Sequence, residues 1–176
     1  MLTGNKYHYD HVFDPTSTQR FIFEKAVKPI VDSVMEGFNG TVFAYGQTSS
    51  GKTHTMLGPS IEDEEQRGMI PRMVSLVFGQ ILAAPNEIEF TVKISMIEIY
   101  MEKIRDLLDP SKTDLKIRED PKKRGVYIED VMETFVTEES EVYNLLHLGN
   151  QNRAIGCTDM NAQSSRSHSC FIVTVT

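Results

Sequence analysis

An α/β fold, with helices on both faces of a mostly parallel or mixed central sheet, is what this sequence predicts. Three observations carry that expectation. Segments with apolar residues at helical spacing alternate with short β-branched and aromatic runs. One of those runs, Thr41–Tyr45, is bounded by glycines and reads as a strand buried on both faces. The length of 176 residues suits one domain, able to bury about two thirds of its unfolded surface without a disulfide or metal staple.

The elements follow in order. Thr16-Ser17-Thr18-Gln19 has capping-box form, a threonine followed three residues later by a glutamine. Phe23, Val27, Ile30, Val34 and Phe38 then recur at helical spacing, so a helix is expected from about Thr16 to Gly37. Pro29 lies inside that pattern, where a proline kinks a helix. Asn39-Gly40 signals a turn, and the Thr41–Tyr45 strand follows. After a glycine-bearing loop and a short helix, Ile70–Leu82 reads as helical, with Pro71 in the favoured first turn. Ile88, Phe90, Val92, Ile94 and Met96 alternate with Glu89, Thr91, Lys93 and Ser95, a period-two strand running towards Tyr100. Leu115–Arg118, Val126–Ile128 and Thr134–Val136 fit a small β-ribbon. Glu138–Gln151 reads as a helix with Thr137 as its cap, and Phe171–Thr176 as a last strand.

Composition excludes several classes. Hydrophobic residues at 40% and charged residues at 24% are ordinary for a globular chain, not for a disordered tail or a rod. No apolar run approaches the roughly 18 residues of a membrane span, and residues 1–6 carry no secretory signal. The net charge of −7, from 18 basic and 25 acidic residues, repels nucleic acid. Cys157 and Cys170 form no C-x-x-C pair, and the five histidines show no H-x-x-x-H spacing. Reduced, mostly buried thiols and no structural metal are therefore expected.

Gly46-Gln47-Thr48-Ser49-Ser50-Gly51-Lys52-Thr53 matches G-x-x-x-x-G-K-[ST], between an expected strand and an expected helix. The spacing has a chemical reason. Glycines let backbone N–H groups turn inward around phosphate oxygens, and the following helix presents its positive end to the same anion. Lys52 can reach the β- and γ-phosphates, and the Thr53 hydroxyl can ligate Mg²⁺. A second constellation, Asn161-Ala162-Gln163-Ser164-Ser165-Arg166-Ser167-His168, is a dense run of hydroxyls with one guanidinium just ahead of the last strand. Taken alone it reads more readily as a polar surface loop. Beside a phosphate loop it has the chemistry of a switch that senses γ-phosphate.

Together the two motifs resemble those of the kinesin motor domain. Gly40–Met56 resembles the family's phosphate-loop signature throughout, and Asn161–His168 its switch I signature, N-x-x-S-S-R-S-H. Tyr9–Phe13, Gly68–Arg72, Glu98–Tyr100 and Ile104–Asp109 agree as well. Ser49-Ser50 and Ser111-Lys112-Thr113 lean towards the conventional heavy-chain branch. The resemblance implies a P-loop NTPase three-layer sandwich with a small β-hairpin lobe, and a microtubule-stimulated ATPase using ATP and Mg²⁺. It implies that Gln47–Thr53 cradle ATP, that His54 lies near the adenine, and that Thr53 and Ser165 reach Mg²⁺. Asn161 and Ser164 would lie near the γ-phosphate and its attacking water, and Arg166 would bridge to a switch II glutamate.

The family's switch II block, D-L-A-G-S-E, its relay helix and its R-x-R-P first strand have no counterpart in these residues. The chain is therefore expected to hold a partial motor domain over residues 1–176. Its last strand, Phe171–Val175, would then lack neighbours and expose an edge. From Lys112 to Arg124, six cations (Lys112, Lys116, Arg118, Lys122, Lys123, Arg124) face three acids, a reversal of the overall sign. The resemblance places this stretch in a lobe that contacts acidic tubulin. Lys122, Lys123 and Arg124 are its expected microtubule contacts, with Lys103 and Arg105 nearby.

The expected setting is cytoplasmic, on the microtubule cytoskeleton. The parent would dimerise through a stalk, and neither nucleic acid nor a membrane span is involved. Two other readings stand beside the motor. One is a truncated, non-catalytic tubulin- or nucleotide-binding module. The other is a small-molecule kinase, which has no reason to carry N-x-x-S-S-R-S-H ahead of a strand.

Overall fold

Strand β1, Val92–Tyr100, is the axis of the sheet that the computed structural model shows; the structure describes residues 6–121, 125–158 and 167–176. Alternating β-branched and polar residues make it a strand, and it is buried from Ile94 to Glu98. Met101 and Glu102 both adopt positive φ, 49° and 61°, giving the tight two-residue turn that reverses the chain into β2, Lys103–Asp106. β2 pairs antiparallel with β3, Thr113–Leu115. The other half of β1 pairs antiparallel with β6, Thr134–Val136, on the same side as β2. β7, His168–Val175, runs antiparallel along the opposite side of β1, from Ile99↔His168 to Val92↔Val175. β4, Ile117–Asp120, and β5, Gly125–Ile128, form a separate two-stranded ribbon, whereas Thr134–Val136, expected in the same ribbon, pairs with β1 instead.

Three further expectations are corrected here. The pairings are antiparallel, not mostly parallel, because β1 and β2 are joined by a hairpin too short for a crossover. An α/β crossover survives in one place: β6 and β7 are both antiparallel to β1, hence parallel to each other, and a helix joins them. The last strand is not unpaired, since β1 satisfies one of its edges along its length. Thr41–Tyr45 is neither a strand nor buried: Phe43 is 80% and Tyr45 95% exposed. The run has strand composition, but it pairs with no strand among the described residues, and composition alone supplies no partner for its N–H and C=O groups.

Two compact units divide the chain, Met1–Gln80 and Ile81–Thr176. In the first, α1 (Gln19–Ile22), a π-helical stretch (Phe23–Val27) and α2 (Lys28–Met35) run on as one helical path. The wide turn sits just before Pro29, whose missing N–H removes one i→i−4 bond and whose ring crowds the preceding carbonyls. The cap is Thr18, whose hydroxyl accepts from Phe21 N at 3.2 Å. Thr16 is engaged elsewhere, donating its hydroxyl to Asp14 Oδ1 at 2.6 Å. Phe23, Val27 and Val31 form the buried stripe. Lys52–Met56 is a short helix, α3, and Met69–Ala83 is α4, with Pro71 in its first turn as expected.

In the second unit α5, Glu139–Thr158, packs on β1. Glu141 accepts from Thr137 N at 2.6 Å and closes the first turn. The helix runs seven residues past the expected end at Gln151, because nothing in Asn152–Ile155 breaks it. Gly149 permits the close approach: a Cβ there would strike the side chain of Met96. Met96, Leu107 and Leu108 form a core against which Leu145 and Phe171 pack, and Ile94, Val142 and Leu146 are fully buried.

Candidate functional site

The Gly46–Thr53 loop lies in the first unit. Gln47–Ser50 makes a turn, with Ser50 N donating to Gln47 O at 3.2 Å. Gly51, at φ +93°, takes the left-handed conformation that lets the chain swing into α3, an arrangement most side chains resist. The Ser50 hydroxyl occupies the space where a Cβ on Gly46 would point, so a side chain there would displace that hydroxyl. Lys52 turns its ammonium into the loop and donates to the carbonyls of Gly46 and Gln47, both at 2.7 Å. Thr48, Ser49, Ser50 and Thr53 are exposed around it.

These residues fit a polyphosphate. The loop is already turned, Gly51 takes its left-handed position, and the Lys52 ammonium is held at the mouth by neutral carbonyls. A phosphate oxygen is a stronger acceptor than either carbonyl.

His54 follows on α3. Gln19, 8% exposed, donates Nε2–H to the His54 carbonyl at 2.6 Å and lies 3.2 Å from His54 Nδ1. A cavity of about 720 Å³ opens beside them, lined by residues 16–20, His54, Pro59 and residues 64–66. Its far wall is a loop held from behind by Arg72. This buried guanidinium donates to the carbonyls of Glu64 (2.6 Å), Glu65 (3.1 Å) and Arg67 (3.1 Å). Burial, followed by the charges of Arg67 and Arg20, pushes its pKa below the ordinary arginine value. The base of that loop is closed by Gly68 N donating to Leu57 O at 2.8 Å. A Cβ on Gly68 would come within 2.6 Å of the Leu57 and Met56 backbone.

The structure thus brings together Gly46–His54. Asn161, Ser164, Ser165 and Arg166, and likewise Lys122, Lys123 and Arg124, lie outside the described residues. Of the remaining expected contacts, Lys103 is exposed on β2, while Arg105 is directed at Glu98, with Nε and Nη2 both 2.6 Å from Oε2. Gln19 and Arg72 were missed by sequence reasoning. In the sequence Gln19 ends a capping box and Arg72 belongs to a matching block; a long polar side chain among apolar helix residues is the signal that marks both.

The family model for the kinesin motor domain matches residues 2–176. The chain belongs to the kinesin motor domain family. It is 51% identical over 173 residues to a kinesin heavy chain of Syncephalastrum racemosum, covering 98% of this chain and 18% of that one. It is 48% identical to the kinesin heavy chain of Drosophila melanogaster, over 99% of this chain and 18% of the relative. A solved structure described as a fast kinesin superposes with a TM-score of 0.91 at 48% identity, over 96% of this chain and 48% of that one. The chain thus spans about a fifth of the heavy chains it matches and about half of the solved chain. The P-loop NTPase fold follows from that superposition, with the sheet of the described residues antiparallel.

Proposed function

We propose that this chain is the nucleotide-binding part of a kinesin-type motor, whose parent hydrolyses ATP and moves along microtubules. The observation that carries the reading is the Gly46–Thr53 loop: preformed, with left-handed Gly51 and the Lys52 ammonium at its mouth. Lys52 exchanges two carbonyls for phosphate oxygens, and the loop amides turn towards the same charge. Thr53 and Ser165 are the hydroxyls that would hold Mg²⁺, which supplies charge neutralisation on the phosphates. The cavity beside His54 has room for the base, with Gln19 holding the histidine's backbone.

Titration of the chain with a fluorescent ATP analogue and Mg²⁺ tests this reading. Binding should be saturable, and Lys52→Ala should weaken it by about a hundredfold, the worth of one charge-assisted contact at the upper end of its range. Equal affinity of Lys52→Ala and the unaltered chain refutes it.

The β4–β5 ribbon is the proposed microtubule contact, because Lys122–Arg124 connect its two strands. Replacing Lys122, Lys123 and Arg124 by glutamate should lower co-sedimentation with microtubules, most strongly at low salt. Unchanged co-sedimentation removes the ribbon from the interface.

A further inference from the structure

Asn39-Gly40 is the only asparagine–glycine pair in the sequence. It lies just past the end of α2. Gly37, at φ +99°, closes that helix: Gly37 N donates to Val34 O at 2.9 Å and Phe38 N to Ser33 O at 3.1 Å. Phe38 is the last residue the cap holds. Among the described residues, no backbone N–H from Asn39 to Tyr45 donates a hydrogen bond, and Asn39 and Gly40 are both exposed. No helix or strand fixes the peptide between them.

Gly40 is required by space, not by its φ, which lies outside the left-handed region. A Cβ at this position would stand 2.6 Å from Ile30 Cγ2 and 2.8 Å from Val34 Cγ2. Both neighbours are β-branched and have little rotamer freedom with which to yield. Close packing of the chain on α2 therefore places a residue without a side chain directly after an exposed asparagine.

That order of residues is reactive. The amide nitrogen following an asparagine attacks the asparagine's side-chain carbonyl carbon when the next residue does not obstruct it, and glycine obstructs least. The other described asparagines lack one condition or another. Asn86 is exposed in a turn, but Glu87 follows it. Asn144, Asn150 and Asn152 lie on α5, whose backbone is fixed, and Asn152 Nδ2 also donates to Leu107 O at 2.7 Å. Asn39 alone among them combines exposure, an unbonded following amide and glycine.

We infer that Asn39 is a site of spontaneous modification, converted through a cyclic imide to an isoaspartyl residue. Gly40 N forms a bond to Asn39 Cγ, the Cγ–Nδ2 bond breaks, and ammonia leaves with the proton that Gly40 N gave up. Water then opens the imide. Opening at Cγ yields aspartate. Opening at the Asn39 main-chain carbonyl yields isoaspartate, in which the chain runs through the former side chain. The reaction consumes one water and releases one ammonia, and it needs no nucleotide. Either product sets a carboxylate beyond the C-terminal end of α2, where the helix dipole and Glu36 disfavour it. Isoaspartate also adds a methylene to the main chain next to the point where Gly40 meets Ile30 and Val34.

Ageing of the 176-residue chain in mildly alkaline buffer, which favours loss of the Gly40 N proton, tests the inference. After digestion and mass spectrometry, the peptide holding Asn39 should show the mass gain of an amide turned to an acid, while the peptide holding Asn86 stays unchanged. The same ageing in guanidinium chloride gives the rate in the unfolded chain. The folded chain should react within about threefold of that rate, as in a segment whose local opening costs almost nothing. The aged chain should then accept labelled methyl groups from S-adenosylmethionine through a protein isoaspartyl methyltransferase. Aged Asn39→Gln should accept none; this exposed substitution enlarges the ring that must close and leaves the contact of Gly40 with α2 in place.

An Asn39 that stays intact, or that reacts about tenfold or more slowly in the folded than in the unfolded chain, overturns the inference, because the fold then protects the pair. Asn86 reacting as fast as Asn39 overturns the part given to Gly40. A mass gain at Asn39 without methyl acceptance overturns the isoaspartyl product.

Discussion

Replacing Gln19 by alanine isolates a contact that the sequence pattern hid. Gln19 is 8% exposed and ties α1 to the His54 carbonyl of α3 by a 2.6 Å hydrogen bond. α3 has only five residues, too few to hold itself by internal bonds. Loss of one neutral hydrogen bond costs about 1 kcal/mol, with somewhat more for a carbonyl left partly buried. Alanine's better helix propensity returns only a few tenths of that. A net loss of about 1 kcal/mol lowers the melting temperature of a chain this size by roughly 2–4 °C. If His54 adjoins the base, the same loss weakens nucleotide binding by about fivefold. Gln19→Glu should be worse than Gln19→Ala, because it sets a carboxylate against a carbonyl. The assay is thermal unfolding by circular dichroism beside a fluorescent nucleotide titration. A Gln19→Glu chain as stable as the unaltered one would refute the reasoning.

Two further outcomes are expected. Leu146→Ala, at a fully buried position on α5, should cost about 2–5 kcal/mol in urea unfolding, whereas Leu148→Ala, 40% exposed on the same helix, should cost well under half of that. Burial pushes the Glu98 pKa up, but the bonds from Ser167, Arg105 and Arg153 outweigh it and hold the folded pKa below its ordinary 4.5. Its contribution to stability is present above that value and is lost as pH falls through the lower folded one. Urea midpoints of the unaltered chain should therefore fall on acidification below about pH 4.5, and Glu98→Gln should flatten that fall; an identical slope in both would contradict the assignment.

The parts of the fold carried by long periodic patterns were legible before any coordinates. α4, β7 and the start of α5 lie close to where their apolar spacing puts them, and β1 does so from Val92 on, without the expected Ile88 and Phe90. What local pattern could not show was pairing. Thr41–Tyr45 has strand composition but finds no partner strand among the described residues. β2 was missed because its turn is Met101-Glu102, which carries none of the Asn-Gly or Asp-Gly chemistry that announces two positive φ values. At the N-terminal end of α1, Asp14 bonds Thr16 and leaves the cap to Thr18, a competition between near neighbours that residue spacing cannot rank. The phosphate loop is legible because its spacing of glycines, lysine and threonine is distinctive, and Gly51 at φ +93° is the position where backbone geometry demands a glycine. Gln19, Arg72 and Glu98 were not, because each matters through residues 5 to 69 positions away.

Hydrogen–deuterium exchange of the chain with and without Mg-ATP tests the central claim most directly. If Gly46–Thr53 cradles the phosphates, amides from Gln47 to Thr53 should gain protection, while those of the β4–β5 ribbon should not change. Unchanged exchange across Gln47–Thr53 at saturating nucleotide, or protection confined to other segments, would contradict it.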